Sequence, residues 1–445
     1  MGERTHWRQE QVYVRRRRTA LAILAIVCVA LSASAIGAWR AFRPDNARAE
    51  AVTTAGTPAT ANPTATATSI STAPTPTPKV TQRVPSADTR LERIDRFTGG
   101  ITPKSVDASE HGLVLANNMI YSHSITVYNS RTHELVKRLP DSIDLSKYGF
   151  AGHKGISKGG PVEAAWTKDA KYAYVSNYVM SGPGFKGYAT DECSPKSGFD
   201  RGFVYRFNAA TMKWDQAIEV GAVPKFVALT PDQKKVVISN WCDFTISIID
   251  RAKAKQVKVI KLAAQPRGIV IMPDNKTAYV AAMYGNKVFR VNLDTGEHHV
   301  IMTVNRPRHL VLSPDSKWLY LAASGTNTVY KIDTSTDKVV SQVVSGPEPR
   351  SMSISQDGTA LYVVNYFGKS ASKITTSDMK VVQRVPTDPA PIGITYDDAT
   401  HQVWVACYGG SMLVFDDTKT TVSTSTGTSS PAAPTAPGAV TATAE

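Results

Sequence analysis

The sequence predicts an all-β, seven-bladed β-propeller, and three observations carry that expectation. First, Pro224, Pro266, Pro307, Pro349 and Pro391 recur at spacings of 42, 41, 42 and 42 residues. A fixed period of this length marks a stack of identical supersecondary units. Second, each unit reads as alternating apolar runs joined by polar turns, as in AVPKFVALTPDQKKVVISNW and NRPRHLVLSPDSKWLYLAAS. Such runs are half-buried strands bounded by turn residues. Third, the last unit stops after its third run, while residues 90–97 form an orphan strand-like segment just before the first unit. An N-terminal strand that completes the last sheet closes the ring and removes an exposed edge.

The units follow one another in order. The first is diverged: Pro103-Lys104-Ser105, then runs over 113–118 and 124–129. The second runs from Gly160-Pro161 to Tyr174-Val175-Ser176-Asn177, and Pro161 precedes Pro224 by 63 residues, one period plus a 21-residue insertion. Five regular units follow, so the total is seven. A second marker keeps the same step: Val237, Tyr279, Tyr320, Tyr362 and Trp404. A two-sheet sandwich has no reason to repeat every 42 residues.

Composition divides the 445-residue chain into five segments: 1–18, 19–39, 40–89, 90–417 and 418–445. The first is a basic cytoplasmic N-terminus ending in Arg15-Arg16-Arg17-Arg18. The uncharged run 19–39 is long enough, at ~1.5 Å per helical residue, to span a bilayer core. The arginines hold its start in the cytoplasm, so everything beyond is exported. This segment is read as a signal-anchor; the alternative is a cleaved signal peptide ending at Ala33-Ser34-Ala35. Segment 40–89 is rich in Thr, Pro and Ala, with too little apolar content to fold, and reads as a disordered stalk. The tail from 418 has the same character. Both readings of the N-terminus place the propeller outside the cytoplasm, membrane-tethered or secreted, and the chain is expected to be a monomer.

Net charge is +14, with +5 in the first 50 residues, +1 in the linker and none in the tail, which leaves +8 on the folded region. That favours anionic partners without naming one.

Tyr174-Val175-Ser176-Asn177 and Tyr362-Val363-Val364-Asn365 resemble the signature of the YVTN family of propeller repeat proteins, which includes YncE-like proteins. The resemblance covers roughly residues 91–416; Ala282, Ala323 and Cys407 depart from the signature at the Asn position. It implies an extracytoplasmic or surface propeller. Members include a DNA-binding type, and relatives of the same fold include lactonases. The resemblance therefore speaks to architecture more than to function.

Propeller topology brings together residues after each recurring Pro and residues at the end of each second strand. The first set is Lys104, Val162, Lys225, Arg267, Arg308, Arg350 and Ile392, five of seven basic. The second, one place beyond the Asn position held by Asn177, Asn240 and Asn365 and by Ala282, Ala323 and Cys407, is Tyr178, Trp241, Met283, Ser324, Tyr366 and Tyr408, four of six aromatic. Forked guanidinium donors suit phosphate or carboxylate, and aromatic rims stack on rings. These residues, with the three asparagines and His309, form the candidate ligand site. Insertions over 141–160 and 180–200 are expected on the same face.

Cys193 and Cys242 lie in neighbouring loops and are expected to pair, leaving Cys407 free. No metal or haem motif is present, and no metal or cofactor is expected. No G-x-S-x-G elbow appears. Three functions stay open. One is a surface module binding an anionic ligand such as a cell-wall polymer, acidic glycan or nucleic acid. Another is a lactonase-like hydrolase with His309 and Glu163 as acid–base groups. The last is a protein scaffold using the insertion loops.

Overall fold

A computed structural model describes residues 83–420. The apolar run 19–39, the linker up to residue 82 and the tail beyond 420 lie outside the described residues. Among the described residues no helix is long and apolar enough to cross a membrane.

Seven four-stranded antiparallel sheets form the blades of a propeller. Their innermost strands are Pro103–Ala108, Pro161–Trp166, Pro224–Leu229, Pro266–Ile271, Pro307–Leu312, Pro349–Ile354 and Pro391–Asp397, numbered here as blades 1 to 7. Each innermost strand packs against the next, and that of blade 7 packs against that of blade 1. In blade 7 the outermost strand is Thr89–Phe97, antiparallel to Ser411–Thr420.

The repeat explains the blade. Each Asp of the first hairpin turn folds the turn onto itself: Asp232 accepts from the Thr230 hydroxyl (2.7 Å) and the Lys234 N–H (3.0 Å). Gln233, Asn275, Ser316 and Gly358 occupy the next position with φ of 62°, 61°, 57° and 70°, the left-handed residue that a tight strand connection needs. Alternation then sends one set of apolar side chains to each neighbouring blade. Val237, Ile248, Ile269 and Val280 fill one such interface, and Tyr279, Leu310, Leu319 and Leu321 another. The outermost strands alternate at the solvent, as in Lys255–Lys261.

Residues 83–88, read from the sequence as linker, pack instead onto blades 6 and 7. Arg83 pairs with Asp398 at 2.9 Å, and the Ser86 N–H donates to Asp357 at 2.7 Å. Beside them lies a fully buried ion pair. The Lys373 ammonium reaches Asp417 Oδ1 at 2.5 Å and donates to the Thr89 carbonyl and hydroxyl at 2.8 Å each. Tyr362 donates its hydroxyl to the other Asp417 oxygen. This cluster ties blade 6 to both outer strands of blade 7.

A basic throat as candidate functional site

Register builds the site. Each innermost strand starts at its Pro, and that Pro pairs with the last residue of the second strand: Pro161 with Asn177, Pro224 with Asn240, Pro349 with Asn365, Pro391 with Cys407. The residue after each Pro and the residue after each Asn position therefore share one mouth of the channel. The residues before four of these prolines, Val223, Arg306, Glu348 and Ala390, hold φ of 55°, 54°, 56° and 60°. Left-handed backbone at non-glycine positions costs on the order of 1–3 kcal/mol each. Bonds from the rim hold it: the N–H groups of Trp241, Ser324, Tyr366 and Tyr408 donate to these four carbonyls at 2.8–3.0 Å.

Lys104, Lys225, Arg267 and Arg308 keep only 9%, 6%, 7% and 8% of their surface exposed. Burying this many cations requires compensation. Three of the five basic groups have it. Lys225 pairs with Asp191 at 2.5 Å, Arg267 with Glu163 at 2.7 Å and Arg350 with Glu348 at 2.8 Å. Among the described residues no carboxylate lies within ion-pair distance of Lys104 or Arg308. Among the described residues the Arg308 guanidinium makes one hydrogen-bond contact, to the Met283 sulfur at 3.5 Å. Arg267 Nη1 is buried without a partner. Burial, then the fields of Arg267 and Arg308, pushes the Lys104 ammonium well below the usual lysine range. Burial, then Arg350 and Arg267, does the same to Arg308. The throat is thus a set of mutually repelling cations with too few anions.

The Lys225 corner is filled from within the chain. Its ammonium lies 4.6 Å from the centre of the Tyr178 ring and 4.9 Å from that of Trp241. Asp191 accepts from the Tyr178 hydroxyl at 3.0 Å, and its backbone carbonyl accepts from the Trp241 indole N–H at 3.0 Å. Burial would raise the Asp191 carboxyl, but Lys225 overrides it and holds the group down at about 2. Asp191 belongs to the blade 2 insertion, and a Cys193–Cys242 disulfide pins that insertion to blade 3. Cys407 is free and buried. The other insertion is only partly a mouth element: Ile143 and Leu145 are buried between blades 1 and 2. Its far end meets the blade 2 insertion, where His153 stacks on Phe185 with ring centres 4.1 Å apart.

Other expected site residues fall differently. Asn177, Asn240 and Asn365 are fully buried and do not face the channel. Asn240 donates to the hydroxyls of Thr245 (2.9 Å) and Ser247 (2.8 Å), and Asn365 donates to those of Ser370 (3.2 Å) and Ser372 (2.9 Å). Asn177 donates to the Phe203 carbonyl. Period-two alternation turns these amides into the blade, where they bond to its third strand. Trp241, at 2% exposed, contributes its ring to Lys225 and little surface to a ligand. Tyr366 lies under Arg350, whose guanidinium carbon is 3.4 Å from the ring centre, and Tyr408 is half-buried at the rim.

His309 packs edge-on to Phe226 and accepts the Met352 N–H on Nδ1 at 3.3 Å. That bond places its proton on Nε2. Burial, and then Arg267 and Arg308 against the opposing pull of Glu163, pushes the imidazole down to about 4. Glu163 is committed to Arg267. Neither residue has the freedom of a general base.

Sequence reasoning placed Met283 at the rim but missed Asp191 and Glu348. Glu348 stands one place before a recurring Pro, a position the sequence reading did not consider. Asp191 lies two residues from Cys193, so the expected disulfide to Cys242, beside Trp241, pointed to it. Among the described residues no group of three or more His, Cys, Asp or Glu is placed to hold a metal.

No family model matches this chain, and no curated protein matches it in sequence. Among solved structures it is similar to Kuenenia stuttgartiensis hydrazine synthase, with a TM-score of 0.55 and 18% identity over 71% of this chain and 96% of that one. At that identity the likeness concerns the propeller fold alone.

Proposed function

We propose that this chain is an extracytoplasmic, membrane-tethered propeller of YVTN type whose throat binds an anionic ligand. One observation carries the reading: Lys104 and Arg308 are buried without a carboxylate, next to an Arg267 nitrogen without a partner. Buried cations in a native fold are normally paired. An anion entering from the mouth would complete that pairing, and two guanidinium groups supply the forked donors that carboxylate and phosphate need.

The hydrolase reading finds less support, because Glu163 is tied to Arg267 and His309 is held neutral with one nitrogen occupied. Melting of the full chain at low salt, with inorganic phosphate, tests the binding reading. A ligand at 100 times its Kd adds about 2.7 kcal/mol, which for a domain of this size is a rise of about 5 °C. An unchanged melting temperature at tens of millimolar phosphate, in the presence of matched neutral salt, would count against the throat as a site.

A further inference from the structure

Three observations narrow the chemistry of the ligand, on the premise that the throat binds an anion. The first is depth. The unmatched cations belong to innermost strands and are nine-tenths buried, so a charge running across the mouth cannot reach them, whereas a group entering end-first can. The second is the charge of the surrounding face. The two insertions together carry Lys147, Lys154, Lys158, Lys186 and Lys196 against Asp141, Asp144, Asp191, Glu192 and Asp200, five of each sign. The insertions therefore add no net positive charge to that of the throat, and a polyphosphate backbone, which needs a cation for many of its charges, finds no continuous track along them.

The third is the placement of exposed aromatic rings. The four most exposed Phe, Tyr and Trp side chains among the described residues are Tyr121 (57%), Tyr188 (64%), Tyr284 (44%) and Phe367 (54%). All four stand on mouth-face connections: those following the second strands Leu113–Asn118, Tyr172–Asn177, Thr277–Ala282 and Ala360–Asn365. Exposed aliphatic residues such as Val257, Val259, Val339 and Val340 lie instead on outermost strands. Rings held at a rim serve flat partners with an apolar face. A peptide would prefer a strand edge, but the outermost strands present their edges at the perimeter, away from the mouth.

We infer that the mouth receives, end-on, an otherwise uncharged sugar chain that terminates in one carboxylate-bearing sugar. The acid sits among Lys104, Arg267 and Arg308, and the following rings lie on the aromatic crown.

The test is calorimetric titration of the full chain with a neutral β-linked tetrasaccharide ending in one uronic acid. Its terminal methyl ester, the free uronate monosaccharide, inorganic phosphate, a tetrapeptide with a free C-terminus and the oligonucleotide dT8 serve as comparisons. The uronate tetrasaccharide should bind at least tenfold tighter than the ester and the monosaccharide. Its log K should fall with log salt at a slope near one, since a single charge is neutralised. Tyr284→Ala and Phe367→Ala should each weaken it about tenfold, with unchanged melting temperature reporting an intact fold. A tetrasaccharide no tighter than the monosaccharide overturns the inference, as does tighter binding of the peptide or of dT8. If phosphate binds while the tetrasaccharide gains nothing, only the end-on glycan is lost. If neither binds, the throat reading falls with it.

Discussion

Replacing Arg308 by Met should stabilise the ligand-free protein while abolishing anion binding. The guanidinium is 8% exposed, has no carboxylate within ion-pair distance and feels Arg350 and Arg267 as its main charged neighbours. Like charges brought together in a buried site repel. Replacement of buried ionic groups by apolar side chains of similar volume is often neutral or stabilising by about 1–4 kcal/mol. Against this stands the loss of one weak contact to the Met283 sulfur. A net gain of about 1–3 kcal/mol corresponds to a melting temperature roughly 2–6 °C higher for a large domain. The assay is a thermal melt of wild type and Arg308→Met at low salt, with and without inorganic phosphate. The wild type should rise with phosphate and the variant should not. A variant that melts below wild type without phosphate would refute the reasoning, because it would show Arg308 to be a structural cation whose charge the fold already satisfies. Such opposition between stability and function is the usual mark of a binding site.

Four further outcomes follow from the geometry. Asp191→Asn should free Lys225 and tighten phosphate binding several-fold in calorimetry, since the competing internal carboxylate is removed. Reduction of the Cys193–Cys242 bond, which closes 49 residues, should lower stability by up to about 4 kcal/mol on loop-closure grounds; a melt with and without reductant reads it. Asp417→Asn should cost about 3–5 kcal/mol by stranding the buried Lys373 ammonium, and limited proteolysis should then cut near Thr89 first. The Asp107 carboxyl is pushed up to about 7 by burial, with the Trp166 N–H opposing. Its folded pKa lies above the unfolded one, so stability present at low pH is lost as pH rises from about 4 through 7. Asp107→Asn should therefore gain about 1–3 kcal/mol at pH 8 in denaturant titrations, after discount for partial exposure, and little at pH 4.

Fold and ring were legible because both depend on period alone. Pro spacing placed the innermost strands of five blades, likeness of the flanking residues placed those of Pro103 and Pro161, and all seven innermost strands begin at the expected Pro. The asparagines show where position without orientation fails. Asn177, Asn240 and Asn365 stand at the rim in register, yet alternation turns each amide inward, where it bonds to the third strand. The partner carboxylates needed three kinds of knowledge. Glu163 was visible as the lone acid one place beyond the ring. Glu348 becomes visible once the residue before Pro is known to be left-handed, a conformation that no propensity assigns to Glu. Asp191 depends on the path of an irregular loop, 34 residues from Lys225, and only the disulfide restricts that path. The aromatic crown was missed because its rings sit on connections of unequal sequence, outside the repeat.

The most direct test of the throat is a crystal of the propeller soaked in tungstate, whose anomalous signal locates a tetrahedral anion without ambiguity. Density bounded by Lys104, Arg267 and Arg308 in wild type, and absent in Arg308→Met, is the expected result. Tungstate found only on exposed lysines, with the throat empty in both proteins, would contradict it.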